Sequence, residues 1–131
     1  MTIKIPRYIA NGVVQYNGWL FDPDTMNDAM RDAVNSKNFV VHEYKEDNKC
    51  SIIKEEFELH AKIGYLNDFN DEFIFVDTLE GYEFNFKNPV ALISILAGDC
   101  IEQDDCTIYK VVKITNIEIV EEDEMMKPRK I

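Results

Sequence analysis

Residues 56 to 65 alternate more strictly than any other part of the chain. Phe57, Leu59, Ala61, Ile63 and Tyr65 fall on one side of a period of two; Glu56, Glu58, His60 and Lys62 fall on the other. In an extended strand successive side chains point to opposite faces. Such a segment packs one face and leaves the other to water or a partner, which implies an antiparallel sheet.

Further strands are legible around it. Phe39 to Tyr44 and Phe73 to Val76 are short apolar runs, the second apolar on both faces and therefore central. Tyr82, Phe84 and Phe86 alternate with Glu83 and Asn85 after a turn at Leu79-Glu80-Gly81. Residues 3–21 read as a hairpin, with Asn11-Gly12 and Asn17-Gly18 as turn signals. Thr107 to Val120 is a long β-type run whose apolar register shifts between Val111 and Val112 and again near Asn116, which predicts a bulge or strong twist.

One helix is clear. Met26, Ala29, Met30, Ala33 and Val34 recur at helical spacing after Asp22-Pro23-Asp24-Thr25, which supplies a cap and acids for the first turn. The stripe predicts a core-facing helix over residues 24–36. Pro89 to Ala97 reads two ways. Asn88 as cap, Pro89 in the first turn and Gly98 after the end fit a short buried helix, whereas the β-branched content fits a buried strand. We favour the helix.

The fold class that follows is α+β, a single small domain. A mainly antiparallel curled sheet or small barrel is covered by one amphipathic helix, with a second short buried helix on the favoured reading of residues 89–97. The 131 residues allow one modest core, which we place in residues 1–120, leaving residues 121–131 as a charged tail expected to be mobile. No apolar run is long enough to span a membrane, and the N-terminus does not read as an export signal. The expectation is a cytoplasmic protein with free thiols.

The net charge of −11 is unevenly spread. Residues 1–65 carry eight Lys/Arg against ten Asp/Glu, and residues 66–131 carry six against fifteen. Such a surface repels nucleic-acid phosphates and anionic lipids and attracts basic surfaces. Direct nucleic-acid binding and membrane binding are therefore disfavoured.

The stretch Gly98 to Cys106, GDCIEQDDC, sets Asp99, Glu102, Asp104 and Asp105 beside two cysteines. It lacks the internal glycine and alternating ligand spacing of a calcium loop. The cysteine spacing suits neither zinc nor a redox pair, and neighbouring carboxylates disfavour a thiolate. We read it as a solvated acidic loop with its cysteines turned to the core. His42 and His60 have no nucleophile nearby in sequence, and no phosphate-binding or hydrolase motif occurs. No catalytic residue, metal ligand or cofactor is expected.

What remains is a binding protein. Carboxylates on a rigid sheet can imitate a phosphate array and occupy a basic groove, and the candidates are Asp68, Asp71, Glu80, Glu83, Asp99, Glu102, Asp104 and Asp105. Tyr65, Phe69 and Tyr82 are candidate aromatic anchors. The expected partner is a basic, nucleic-acid-binding protein surface, by class-level analogy with the inhibitors of phage and mobile-element counter-defence. Two alternatives stand beside it. One is a ligand-sequestering pocket lined by Trp19, Tyr65, Tyr82 and Tyr109; the other is a self-assembling homo-oligomeric subunit.

Overall fold

In the computed structural model, which describes residues 1–8, 13–14, 19–44, 60–103, 106–122 and 129–130, the helix forms where its cap predicts. Asp22 is the N-cap, its carboxylate accepting from the Thr25 N–H at 3.0 Å, and α1 runs Pro23–Asn35. Met26, Ala29, Met30 and Ala33 are buried. The helix ends on Lys37, which takes a left-handed backbone (φ 67°) and donates its N–H to the Val34 carbonyl.

Nine strands accompany the helix among the described residues: β1 (Thr2–Pro6), β2 (Val13–Val14), β3 (Trp19–Phe21), β4 (Val40–Tyr44), β5 (His60–Phe69), β6 (Phe73–Thr78), β7 (Pro89–Gln103), β8 (Cys106–Glu121) and β9 (Arg129–Lys130). The large sheet has the order β1-β6-β5-β4-β8-β3, with β7 antiparallel along the other side of β8. It curls into a half-barrel. Its two ends touch at one point, where Arg7 bridges Ala91 of β7 and the Tyr8 N–H donates to the Ala91 carbonyl at 3.0 Å. A small separate sheet pairs β2 with β9.

The sheet is mainly antiparallel, in four of its six ladders, but it is mixed. Both β3 and β4 run parallel to β8, pairing with it at Thr107–Tyr109 and at Ile117–Ile119. Helix α1 joins them and returns the chain to the same edge of β8 in the same direction. Eight residue steps along β8, from Tyr109 to Ile117, separate the two contacts, about 26 Å of strand, and a helix of this length covers about 20 Å. The helix thus takes the place of a strand along that edge. Its start is pinned there: the Asp22 N–H donates to the Tyr109 carbonyl, and the Val111 N–H donates to the Thr25 hydroxyl at 2.9 Å.

The expected helix at residues 89–97 is a strand. Pro89 occupies the first position of β7, where a missing N–H costs no ladder bond. Asn88 does not cap anything; instead the Glu121 carboxylate accepts from the N–H groups of Lys87 and Asn88. With β8 alongside to pair with, the β-branched run extends. No second helix occurs among the described residues. The hairpin expected within residues 3–21 is also replaced, since β1 pairs antiparallel with β6 and β3 pairs with β8. Both Asn-Gly steps lie outside the described residues, as do residues 56–59 of the alternating segment. Tyr82, Phe84 and Phe86 keep their alternation, half-buried beside exposed Glu83 and Asn85, without joining a sheet.

The irregular register of β8 is real. Between Ser94 and Ile95, and between Leu96 and Ala97, β8 carries an extra residue against β7; between Ala97 and Cys100 the extra residue is on β7. These bulges sit at Thr115, Val112 and Gly98-Asp99, and they increase local twist. The core lies between the concave face and the helix, with Ile5, Met30, Val41, Ile63, Ile74, Val76, Ile117 and Ile119 fully buried. Among the described residues no helix is long and apolar enough to cross a membrane.

Candidate functional site: an acidic end of the half-barrel

The candidate carboxylates separate into three places. Asp68 is the last residue but one of β5 and Asp71 lies in the β5–β6 turn, both exposed. Glu80 and Glu83 are exposed beyond the other end of β6, one strand length away. Asp99 and Glu102 are exposed on β7, and Asp104 and Asp105 lie outside the described residues. Because β4 runs parallel to β8 and β5 runs antiparallel to β4, the β5–β6 turn and the tip of the β7–β8 hairpin point to the same end of the sheet. Four candidates, Asp68, Asp71, Asp99 and Glu102, therefore share one end, and Glu80 and Glu83 do not.

A feature that sequence inspection passed over joins them. Asp24, Asp28 and Asp32 recur every fourth residue on the exposed side of α1. Successive members rise by about 6 Å along the axis. Asp24 in the first turn suits the helix dipole, but like charges at this spacing weaken a helix by a few tenths of a kcal/mol per pair, so helix stability does not account for Asp28 and Asp32. The spacing was readable, but the apolar stripe on the opposite side drew the helix reading.

Where α1 meets the β5–β6 turn, an open groove of about 370 Å³ is lined by Asn27, Asp28, Arg31, Phe69, Asn70 and Asp71. Arg31 lies 4.7 Å above the Phe69 ring, and its guanidinium reaches Asp68 at 3.6 Å. Both charged side chains are more than half exposed, so the pair contributes at most about 1 kcal/mol. Its ionic grip is weak enough for a competing cation to replace.

Beneath the turn lies Arg7, 5% exposed. Its N–H donates to the Glu72 carbonyl and its guanidinium to the Asn70 carbonyl, both at 2.8 Å. Burial lowers its pKa and the charge of Asp71 opposes that effect; an arginine remains a cation regardless. Asn70 closes the turn from above, its side-chain oxygen accepting from the N–H groups of Glu72 and Phe73. The acidic turn is therefore held rigid, and a rigid carboxylate array loses little entropy when a partner docks.

The aromatic candidates scatter. Phe69 alone sits in the acidic groove. Tyr65 lies opposite Asp77 on the convex face, where Lys62 donates to its hydroxyl. Tyr82 packs against the core and donates its hydroxyl to Glu43 at 2.8 Å. Burial, and then the bond and charge of Glu43, raise the Tyr82 pKa well above the ordinary tyrosine value. Tyr65 and Tyr82 thus line no common cavity, and the side chain of Trp19 lies outside the described residues.

The cysteine stretch is corrected in two respects. It is strand rather than loop up to Gln103 and again from Cys106, and Cys100 is exposed while Cys106 is half-buried. Cys100 pairs with Tyr109 and Cys106 with Gln103, so the thiols stand three residues apart along the ladder. That offset, about 10 Å, exceeds the reach of a disulfide. Among the described residues no group of three or more His, Cys, Asp or Glu side chains is arranged to hold a metal ion.

Comparison with protein-family models, with curated proteins and with solved structures finds no match to this chain.

Proposed function

We propose that this chain is a small acidic binding protein, without catalysis of its own, that occludes a basic nucleic-acid-binding surface of a partner protein. The observation that carries the reading is the acidic end of the half-barrel: the Asp24, Asp28 and Asp32 row beside Asp68 and Asp71, with Phe69 as an apolar floor. Regularly spaced carboxylates on rigid elements offer a basic groove what a phosphate backbone offers it. An aromatic in a partly dry position supplies the short-range contact that charge alone lacks. The role resembles that of counter-defence inhibitors only as a class. The open, polar character of the groove gives no support to a ligand-sequestering pocket.

The test is capture from a lysate at low and at moderate salt, with bound proteins identified by mass spectrometry. A nucleic-acid-binding protein that elutes as salt rises, and that nucleic acid displaces, supports the reading, because exposed charges are screened within about 8–10 Å at such salt. Retention that ignores both salt and nucleic acid refutes it.

A further inference from the structure

Strand β7 runs for 15 residues with β8 along one side. On its other side, among the described residues, only Arg7 pairs with it, at Ala91. Residues 92–103 therefore present a row of backbone donors and acceptors on an outer edge. Residues 96–103 are all exposed. Proteins ordinarily blunt such an edge with lysines, prolines or very short strands, because it is a template for another chain. Here the proline stands only at the first position, the strand is long, and residues 89–103 contain no Lys or Arg.

The side chains along this edge are sorted by face. Leu96 pairs with Lys113 and Ile101 with Ile108, and the bulge at Gly98-Asp99 puts Leu96 and Ile101 on the same side although they are five residues apart. They are 48% and 52% exposed. Glu102, paired with Thr107, points to the opposite side. An incoming strand meets apolar groups on one of its faces and a carboxylate on the other, with Asp99 at the bulge between them.

We infer that the outer edge of β7 receives an extended segment of the partner as an added strand, and that this segment alternates apolar residues with lysine or arginine. The inference rests on the basic-partner reading above and specifies how the partner is held. Charge selects the occupant. A second copy brings its own Asp99 and Glu102 to the same edge and adds a body of net charge −11, whereas a basic segment neutralises both carboxylates. Backbone pairing then supplies affinity and the alternate side chains supply selectivity.

The experiment uses the full chain labelled with ¹⁵N, with amide exchange followed residue by residue. The probe is the acetylated, amidated peptide (Lys-Val)₄; the controls are (Glu-Val)₄ and (Lys-Val)₄ N-methylated at every residue, which keeps the charge and removes the donors. With (Lys-Val)₄ at ten times its Kd, alternate amides within residues 92–103 exchange about tenfold more slowly, and neither control has this effect. Protection of those same amides in the free protein overturns the inference, because the edge is then already covered. Equal binding of the N-methylated peptide, with perturbations at Asp28 and Asp71 instead, overturns strand addition and leaves the basic-partner reading standing. Equal effects of the lysine and glutamate peptides overturn the charge argument here, and the lysate capture then decides the broader reading alone.

Discussion

Replacing Gly64 with alanine places a methyl carbon 2.0 Å from the Asp77 carbonyl oxygen and 2.8 Å from two further backbone atoms of β6. Ordinary contact begins near 3.4 Å, so β5 and β6 must separate locally by about 1.4 Å, the difference between those distances. The obstacle is backbone, which cannot rotate away as a side chain can. Strands pair at a spacing of about 4.8 Å, and widening of this size breaks the adjacent ladder bonds. Loss of two bonds costs about 2 kcal/mol, overpacking strain adds about 1–3, and the stiffer unfolded chain returns about 0.4–1. The net loss is about 3 kcal/mol, against a total of about 7–20 for a chain of this length. The melting temperature should fall by about 10 °C or more. Gly81→Ala is the control. Gly81 has φ +80° in a turn closed by the Tyr82 N–H on the Leu79 carbonyl, yet a methyl there meets nothing within 4 Å. It should lose about 1 kcal/mol, from backbone strain alone. Urea denaturation of both variants measures the contrast. A Gly64→Ala protein within 1 kcal/mol of the parent would refute the close approach of β5 to β6 and the register drawn from it.

Asp28→Lys converts the helix row into alternating charges. It should leave helix stability unchanged or raise it by about 0.2–0.5 kcal/mol, while weakening capture of a basic partner at least tenfold in a salt-sensitive way; circular dichroism and binding measure the two. Lys37→Gly relieves a left-handed non-glycine backbone at the helix end and should stabilise by about 0.5–1 kcal/mol, read by urea denaturation. Tyr82→Phe should cost about 1 kcal/mol near neutrality through loss of the bond to Glu43. The pH dependence has a definite sign. The Tyr82 pKa is raised by folding, so its contribution is complete below the unfolded value of about 10 and declines as pH rises above it. The parent should therefore lose stability above pH ~10 more steeply than Tyr82→Phe.

Local chemistry was legible in the sequence, and long-range pairing was not. Asp22, Pro23 and the Met26–Val34 stripe located α1 to within a residue, because caps and periodicity act within one turn. The register shifts at Val112 and near Asn116 announced bulges, because an inserted residue inverts every side chain after it. Pro89 misled because its ring suits the first turn of a helix and the first residue of a strand equally; β8, 17 residues later at its nearest, decided between them. Parallel pairing of β3 and β4 with β8 spans most of the chain and leaves no local mark. The candidate site was half-legible for a related reason. Charges are visible one by one, but which of them share an end depends on strand direction, and that separated Glu80 and Glu83 from Asp68 and Asp71.

The position of β8 has a consequence for how this protein is made. Cys106–Glu121 contacts β7, β4, β3 and the helix, yet it leaves the ribosome after all of them. Until it emerges, β3 and β7 have no strand to lie along and α1 has no edge to rest on, although β4, β5, β6 and β1 can already pair. The β1-β6-β5-β4 sheet must then wait for its cover, with Met30, Val41 and Ile63 still wet. Folding is then slow for a chain of this size, since most pairings close large loops. A stop codon anywhere within residues 106–121 should yield no smaller version of the fold, only a β1-β6-β5-β4 remnant without its cover.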